Sequence, residues 1–134
     1  MIHLRRLAAR QFKQLDRVDL ELPQRARVLV KGLNEAGKST LFEAVFFGLF
    51  GQPLGGQGAR SLDDLIRYGA DSAQVDLTVS LSGGRALEVR RQLRRGKPNL
   101  WELDILGADG GLEEQIRGNR EVNLRVASEL GFDA

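Results

Sequence analysis

The chain opens with residues 2–12, an apolar-rich stretch of mixed alternation that reads as a first strand. Val18-Asp19-Leu20-Glu21-Leu22 alternates cleanly, predicts a second strand, and is stopped by Pro23. Residues 26–31 predict a third strand, and 38–50 predict a helix whose Phe and Leu content implies deep burial. From 51 to 60, four glycines and a proline exclude regular structure. Ser61, with Asp64 three positions on, has capping-box spacing and starts a short helix to about Arg67. Val75-Asp76-Leu77-Thr78-Val79-Ser80-Leu81 alternates strictly, followed by Ser82-Gly83-Gly84 and by Leu87-Glu88-Val89, which together predict a β-hairpin. Leu100 to Leu106 predicts another strand, with a turn at Ala108-Asp109-Gly110-Gly111. Val122, Val126 and Leu130 have helical spacing, and Gly131 is placed to cap the helix. No internal repeat or low-complexity linker interrupts the pattern.

Composition adds bounds. A chain of 134 residues, 42% hydrophobic and 28% charged, is one globular domain or part of one. The absence of cysteine excludes disulfides and thiolate metal sites. A single histidine, His3, cannot build a metal cluster and reads as an ordinary polar position on the first strand. No apolar run approaches the ~18 residues of a membrane span, and the N-terminus lacks the apolar core of a signal peptide. The expectation is a cytoplasmic protein with no membrane partner. Net charge is +2, but residues 85–97 hold Arg85, Arg90, Arg91, Arg94, Arg95 and Lys97 against the single acid Glu88. Such a stripe suits either contact with a phosphate backbone or the solvated face of an edge strand.

The chemistry is concentrated in Gly32-Leu33-Asn34-Glu35-Ala36-Gly37-Lys38-Ser39-Thr40, which spells G-x-x-x-x-G-K-[ST]. Its setting between an apolar strand and a helical pattern is the one in which a phosphate-binding loop works. Backbone N–H groups from Asn34 to Thr40 can converge on triphosphate oxygens, aided by the helix dipole. Gly32 permits the turn out of the strand, and Gly37 the close backbone approach. Lys38, the expected catalytic residue, would reach the β- and γ-phosphates, and the Ser39 hydroxyl would ligate Mg²⁺. The expected ligand is therefore ATP–Mg²⁺ or a similar nucleotide.

Two look-alikes fail on context. Leu81-Ser82-Gly83-Gly84-Arg85 spells the signature of ABC-type ATPases, but both flanks have period two, so it reads as a hairpin turn. Asp104-Ile105-Leu106-Gly107 matches the D-x-x-G of GTPases, yet no guanine-reading Asn-Lys-x-Asp follows. Hydrolysis also needs a second Mg²⁺-organising acid and a group that orients the attacking water. No apolar strand here ends in Asp-Glu, and no general base is assignable. The chain is expected to bind a nucleotide without hydrolysing it alone.

The order Gln11-Phe12-Lys13, the phosphate loop with Leu41-Phe42-Glu43-Ala44-Val45, then Leu65-Ile66-Arg67-Tyr68-Gly69-Ala70 and Leu87-Glu88-Val89-Arg90-Arg91 resembles the SMC-like DNA-repair ATPases of the SbcC and Rad-fifty type. The resemblance covers nearly the whole chain. It implies an α/β P-loop NTPase of the ABC-ATPase type: an N-terminal lobe, residues 1–134, with a mixed sheet and antiparallel β-hairpins around a buried P-loop helix. It implies a C-terminal lobe elsewhere bearing the Walker B and signature motifs, joined through a coiled coil. Two heads would dimerise around ATP and act on DNA ends with an SbcD-type nuclease, in double-strand break repair. By position, Lys13 matches a basic residue at the phosphates; the family usually has Asn or Gly where this chain has Gln11. Ile66, Arg67 and Tyr68 match the loop near base and ribose. Arg91 matches a family strand arginine, which implies that Arg90, Arg91, Arg94, Arg95 and Lys97 face DNA. Glu35 is commoner in YhaN-like and RecF-like relatives, and it must point away from the phosphates to avoid repulsion.

Two other readings compete with an ATPase half-head. One is a self-contained nucleotide enzyme such as a kinase, which needs an acceptor site not found here. The other is a DNA-binding module with a vestigial nucleotide site, resting on the basic hairpin.

Overall fold

The computed structural model describes residues 2–22, 35–53 and 62–131, with the backbone path alone for 35–39. The expected strand at 26–31 and the start of the phosphate loop at 32–34 lie outside the described residues. Strands β1 (His3–Phe12), β2 (Leu15–Glu21), β3 (Ser72–Ser80), β4 (Ala86–Arg94), β5 (Leu100–Leu106) and β6 (Leu112–Arg117) form one sheet in the order β2-β1-β3-β4-β5-β6. Every pairing in it is antiparallel. Where a mixed sheet is expected, the described residues contain no parallel pair.

Helices α1 (Glu35–Phe50) and α2 (Asn119–Leu130) cover one face of this sheet. Alternation decides which side chains meet them. Ala73, Val75, Leu77 and Val79 of β3 and Leu87, Val89 and Leu93 of β4 are buried, while the intervening residues are polar. On α1, Leu41, Ala44 and Phe47 recur at helical spacing and are buried. Phe47 alone contributes about 1.5–3 kcal/mol by leaving water. Helix and sheet approach closely at Gly48, where a Cβ would sit 2.5 Å from Leu77 Cδ1. Val122 and Val126 seat α2, and Gly131, at φ +79°, ends it with N–H bonds to Ala127 and Ser128 carbonyls.

The expected helix at 61–67 is a single 3₁₀ turn, Leu62–Leu65. The hairpin forms as expected: Ser80 pairs with Ala86, and the Leu81 N–H donates to the Arg85 carbonyl across Ser82-Gly83-Gly84. Asp104 sits inside β5, paired with Arg90 at 2.9 Å. Strand β6 has no counterpart among the expected elements.

Candidate functional site

The helix that carries the phosphate motif begins at Glu35, so Gly37, Lys38 and Ser39 lie in its opening turns. The first turn of a helix leaves its N–H groups without intrahelical acceptors and presents the positive end of its dipole. That placement suits an anionic phosphate.

Around this helix the fold gathers two segments remote in sequence. The first is the β1–β2 turn. Regular alternation from Leu7 and Ala9 would send Gln11, not Phe12, toward α1. Instead Gln11 takes φ +52° and Lys13 φ +50°. These left-handed residues switch the phase, so that Phe12 is fully buried with its ring centroid 5.9 Å from that of Phe47. Lys13 then reaches α1, where its Nζ donates to Glu43 Oε2 at 2.7 Å, both side chains being largely buried. The next residue, Gln14, accepts from the buried Thr40 hydroxyl at 3.4 Å.

The second segment follows the 3₁₀ turn. The Lys13 N–H donates to the Leu65 carbonyl at 2.9 Å, and the Arg67 N–H to the Gln11 carbonyl at 2.7 Å. The Arg67 guanidinium donates to the Gln14 carbonyl at 2.8 Å. Lys13, Thr40 and Arg67 are thus linked through the β1–β2 turn. Ile66 is buried, so its side chain belongs to the core and only its backbone is available to a ligand. Tyr68 is fully exposed. Glu43 carries no local sequence signal for a role here; only the fold reveals it as the partner of Lys13.

The basic stripe divides. Arg91, expected on a DNA-facing surface, is fully buried beneath α1. It shares the inward phase of Leu87, Val89 and Leu93, a signal already present in the alternation of the strand. Its Nε donates to the Gly48 carbonyl at 2.8 Å, and its Nη atoms lie 3.4 Å from the Leu49 carbonyl and from Asn119 Oδ1. Its guanidinium carbon stands 5.6 Å from the Trp101 ring centroid. Arg91 therefore holds the C-terminal end of α1, where the dipole is negative, and links it to α2. With no carboxylate partner among the described residues, burial pushes its pKa down to about 10.

Arg90 points to the opposite face and pairs with Asp104 and Glu102. Arg95 donates to the Ala70 carbonyl and braces the loop after Ile66. Arg94 caps the β4–β5 turn through the Pro98 carbonyl, and Lys97 is exposed in that turn. Among the described residues, no group of three or more His, Cys, Asp or Glu is arranged to hold a metal ion, and no helix is long and apolar enough to cross a membrane.

The comparisons with known proteins agree with this architecture. A family model described as an AAA domain matches residues 6–124. The SbcC component of the SbcCD nuclease of Deinococcus radiodurans is 32% identical over 127 residues, covering 94% of this chain and 13% of that protein. Exonuclease subunit 2 of Escherichia phage RB69 is 47% identical over 115 residues, 86% of this chain and 19% of that protein. A solved structure of the recombination mediator protein RecF with ATP superposes with a TM-score of 0.60 at 17% identity, over 84% of this chain and 29% of that one; it shows a shared fold. The chain spans less than a third of each of these relatives. It belongs to the AAA domain family, in the SMC-like branch whose members SbcC, Rad50, RecF and Smc are its relatives.

Proposed function

We propose that this chain is the nucleotide-binding lobe of a composite, SMC-like ATPase head that works on DNA. The carrying observation is the convergence of Lys13, Thr40 and Arg67 beside the opening turns of α1. Backbone donors of Asn34 to Thr40 would hold the phosphates, with Lys38 and Lys13 as the cations. Ser39 would ligate Mg²⁺, which offsets phosphate charge and orients the terminal phosphoryl group. Arg67 and Tyr68 would contact ribose and base. Glu43 would hold Lys13 in place until phosphate competes for it.

The lobe reading has support in α1 itself. The helix is apolar nearly all round, yet the sheet covers one side. Phe42 is 71% exposed, and Phe46 packs at a tilt against Phe50 with centroids 4.7 Å apart. A helix of this kind is normally enclosed between two layers. A second lobe carrying Walker B and the signature would supply the missing acids. Dimerised heads, an SbcD-type nuclease and DNA would complete the assembly, by analogy with relatives named as nuclease and exonuclease subunits.

Nucleotide binding and turnover test this separately. The chain should bind ATP with Mg²⁺ and hydrolyse none, with Lys38→Ala abolishing binding. Turnover should appear when a C-terminal lobe is added. Robust hydrolysis by the chain alone would overturn the reading. A RecF-like head without a nuclease is the second reading, favoured by the structural match; failure of any SbcD-type protein to associate with the completed head would select it.

A further inference from the structure

The sheet face turned away from the helices carries a row in which two arginines meet. Arg10 of β1 and Arg17 of β2 are directly opposite in register, and both are exposed. Like charges so placed repel across a sheet. Neither forms an ion pair among the described residues, whereas Arg6, two rows along, pairs with Asp19 at 2.8 Å and Arg90 with Asp104 at 2.9 Å. The row continues through Gln74 of β3 and Gln92 of β4. These four side chains, with Gln11 and Asp16, line a cleft of about 390 Å³. Asp16 is already occupied as an acceptor from the Gln11 amide at 2.8 Å. The cleft therefore offers two guanidinium groups without a direct ion pair among the described residues, beside neutral amides and the Asp16 carboxylate, with Asp19 and Asp76 acting on them only through space.

We propose that this cleft docks an acidic segment of a partner protein, with one of its anionic side chains bridging Arg10 and Arg17. An anion there would turn a repulsive pair into two charge-assisted contacts. Two features favour a peptide over duplex DNA. The rest of the face alternates in sign: Asp19, Asp76, Glu102 and Asp104 stand between Arg6, Arg90 and Arg117, so a phosphate backbone crossing it would meet carboxylates in the neighbouring rows. And β2, which bears Arg17, is the outermost strand among the described residues, so an extended segment could also pair along its edge. The cleft opens on the face away from α1, with Gln11 of its lining belonging to the turn that carries Lys13.

The test titrates the chain at low salt with a labelled Glu-rich peptide and, in parallel, a labelled short DNA duplex. Wild type should bind the peptide, and Arg10→Glu/Arg17→Glu should lose at least ~10-fold in affinity, with ATP binding and any duplex affinity unchanged. No saturable peptide binding, or equal binding by the double variant, would overturn the proposal. So would duplex affinity that falls with the same substitutions, since the surface would then be a nucleic-acid contact. Folding is controlled by Arg17→Glu alone, which places opposite charges across the strands. Its thermal midpoint should rise while peptide binding weakens; a fall in both would mean that the arginines serve the fold.

Discussion

Gln11 and Lys13 flank Phe12 with φ values of +52° and +50°. Side chains with a Cβ visit this region at a cost of order 1–3 kcal/mol each, and Asn and Gly visit it most readily. Asn or Gly would adopt this backbone at lower cost than Gln11 does. Gln11→Asn should therefore raise stability by about 0.5–1 kcal/mol in chemical denaturation, with Lys13 still reaching Glu43. Arg91 makes the opposite case. Arg91→Met fills similar space but removes the guanidinium donors from the Gly48 and Leu49 carbonyls beneath α1, while Asn119 keeps its bond from Asn123. Leaving buried acceptors unpaired costs about 1–3 kcal/mol each, so a loss of about 2–4 kcal/mol is expected from denaturant midpoints. ATP affinity should fall with it, because the helix end opposite the phosphate motif is released. Had Arg91 faced solvent, the change would be nearly neutral.

At the scale of elements, legibility followed burial. β3, β4 and β5 alternate because one face packs on helices, and their presence was readable, although the β4 pattern predicted over 87–89 runs on to Arg94 and takes Arg91 inward. β6 was not: five of its six residues are exposed, so Leu112-Glu113-Glu114-Gln115-Ile116-Arg117 has no buried face to impose a pattern. It exists because β5 offers an edge to pair with. Salt bridges then tie this edge to α2. Arg125 joins Glu114 to Glu129, and Arg85 reaches Glu129 from the hairpin loop at 3.1 Å. The bond from Arg85 holds the Glu129 carboxyl below its ordinary 4.5. A depressed carboxylate stabilises the fold above its unfolded value and loses that contribution as pH falls through the folded one. Acid titration of stability should show a decline beginning below about pH 4.5 that Glu129→Gln reduces. Helix–sheet contact is stricter. Gly48→Ala drives a Cβ to 2.5 Å from the Leu77 side chain, and should destabilise by about 1–3 kcal/mol, the range for overpacking a core.

At the scale of the whole molecule, the described fold is a six-stranded antiparallel sheet with α1 and α2 on one face and charged residues on the other. This layering would separate the two proposed chemistries, with nucleotide at the N-terminal end of α1 and ionic docking on the open face. If α1 holds ATP, ligand must stabilise the folded state by mass action. At about 100 times the dissociation constant the gain is about 2.7 kcal/mol. A thermal scan with ATP–Mg²⁺ should show that rise, Lys38→Ala should remove it, and omission of Mg²⁺ should reduce it. The Arg10–Arg17 substitutions should leave it intact, since that face does not touch the helix.

The residues alone specified the ligand class, because a G-x-x-x-x-G-K-[ST] run between a strand and a helix pattern leaves little else for the backbone to do. They also marked the buried strands and the hairpin that rules out an ABC signature at Leu81–Arg85, since periodicity reports which face leaves water. Pairing across long separations could not be read this way. Lys13 meets Glu43, Arg91 meets the end of α1, and Arg10 opposes Arg17 because packing and register bring remote segments together. Local pattern records whether a side chain is buried; only the folded arrangement determines what it is buried against.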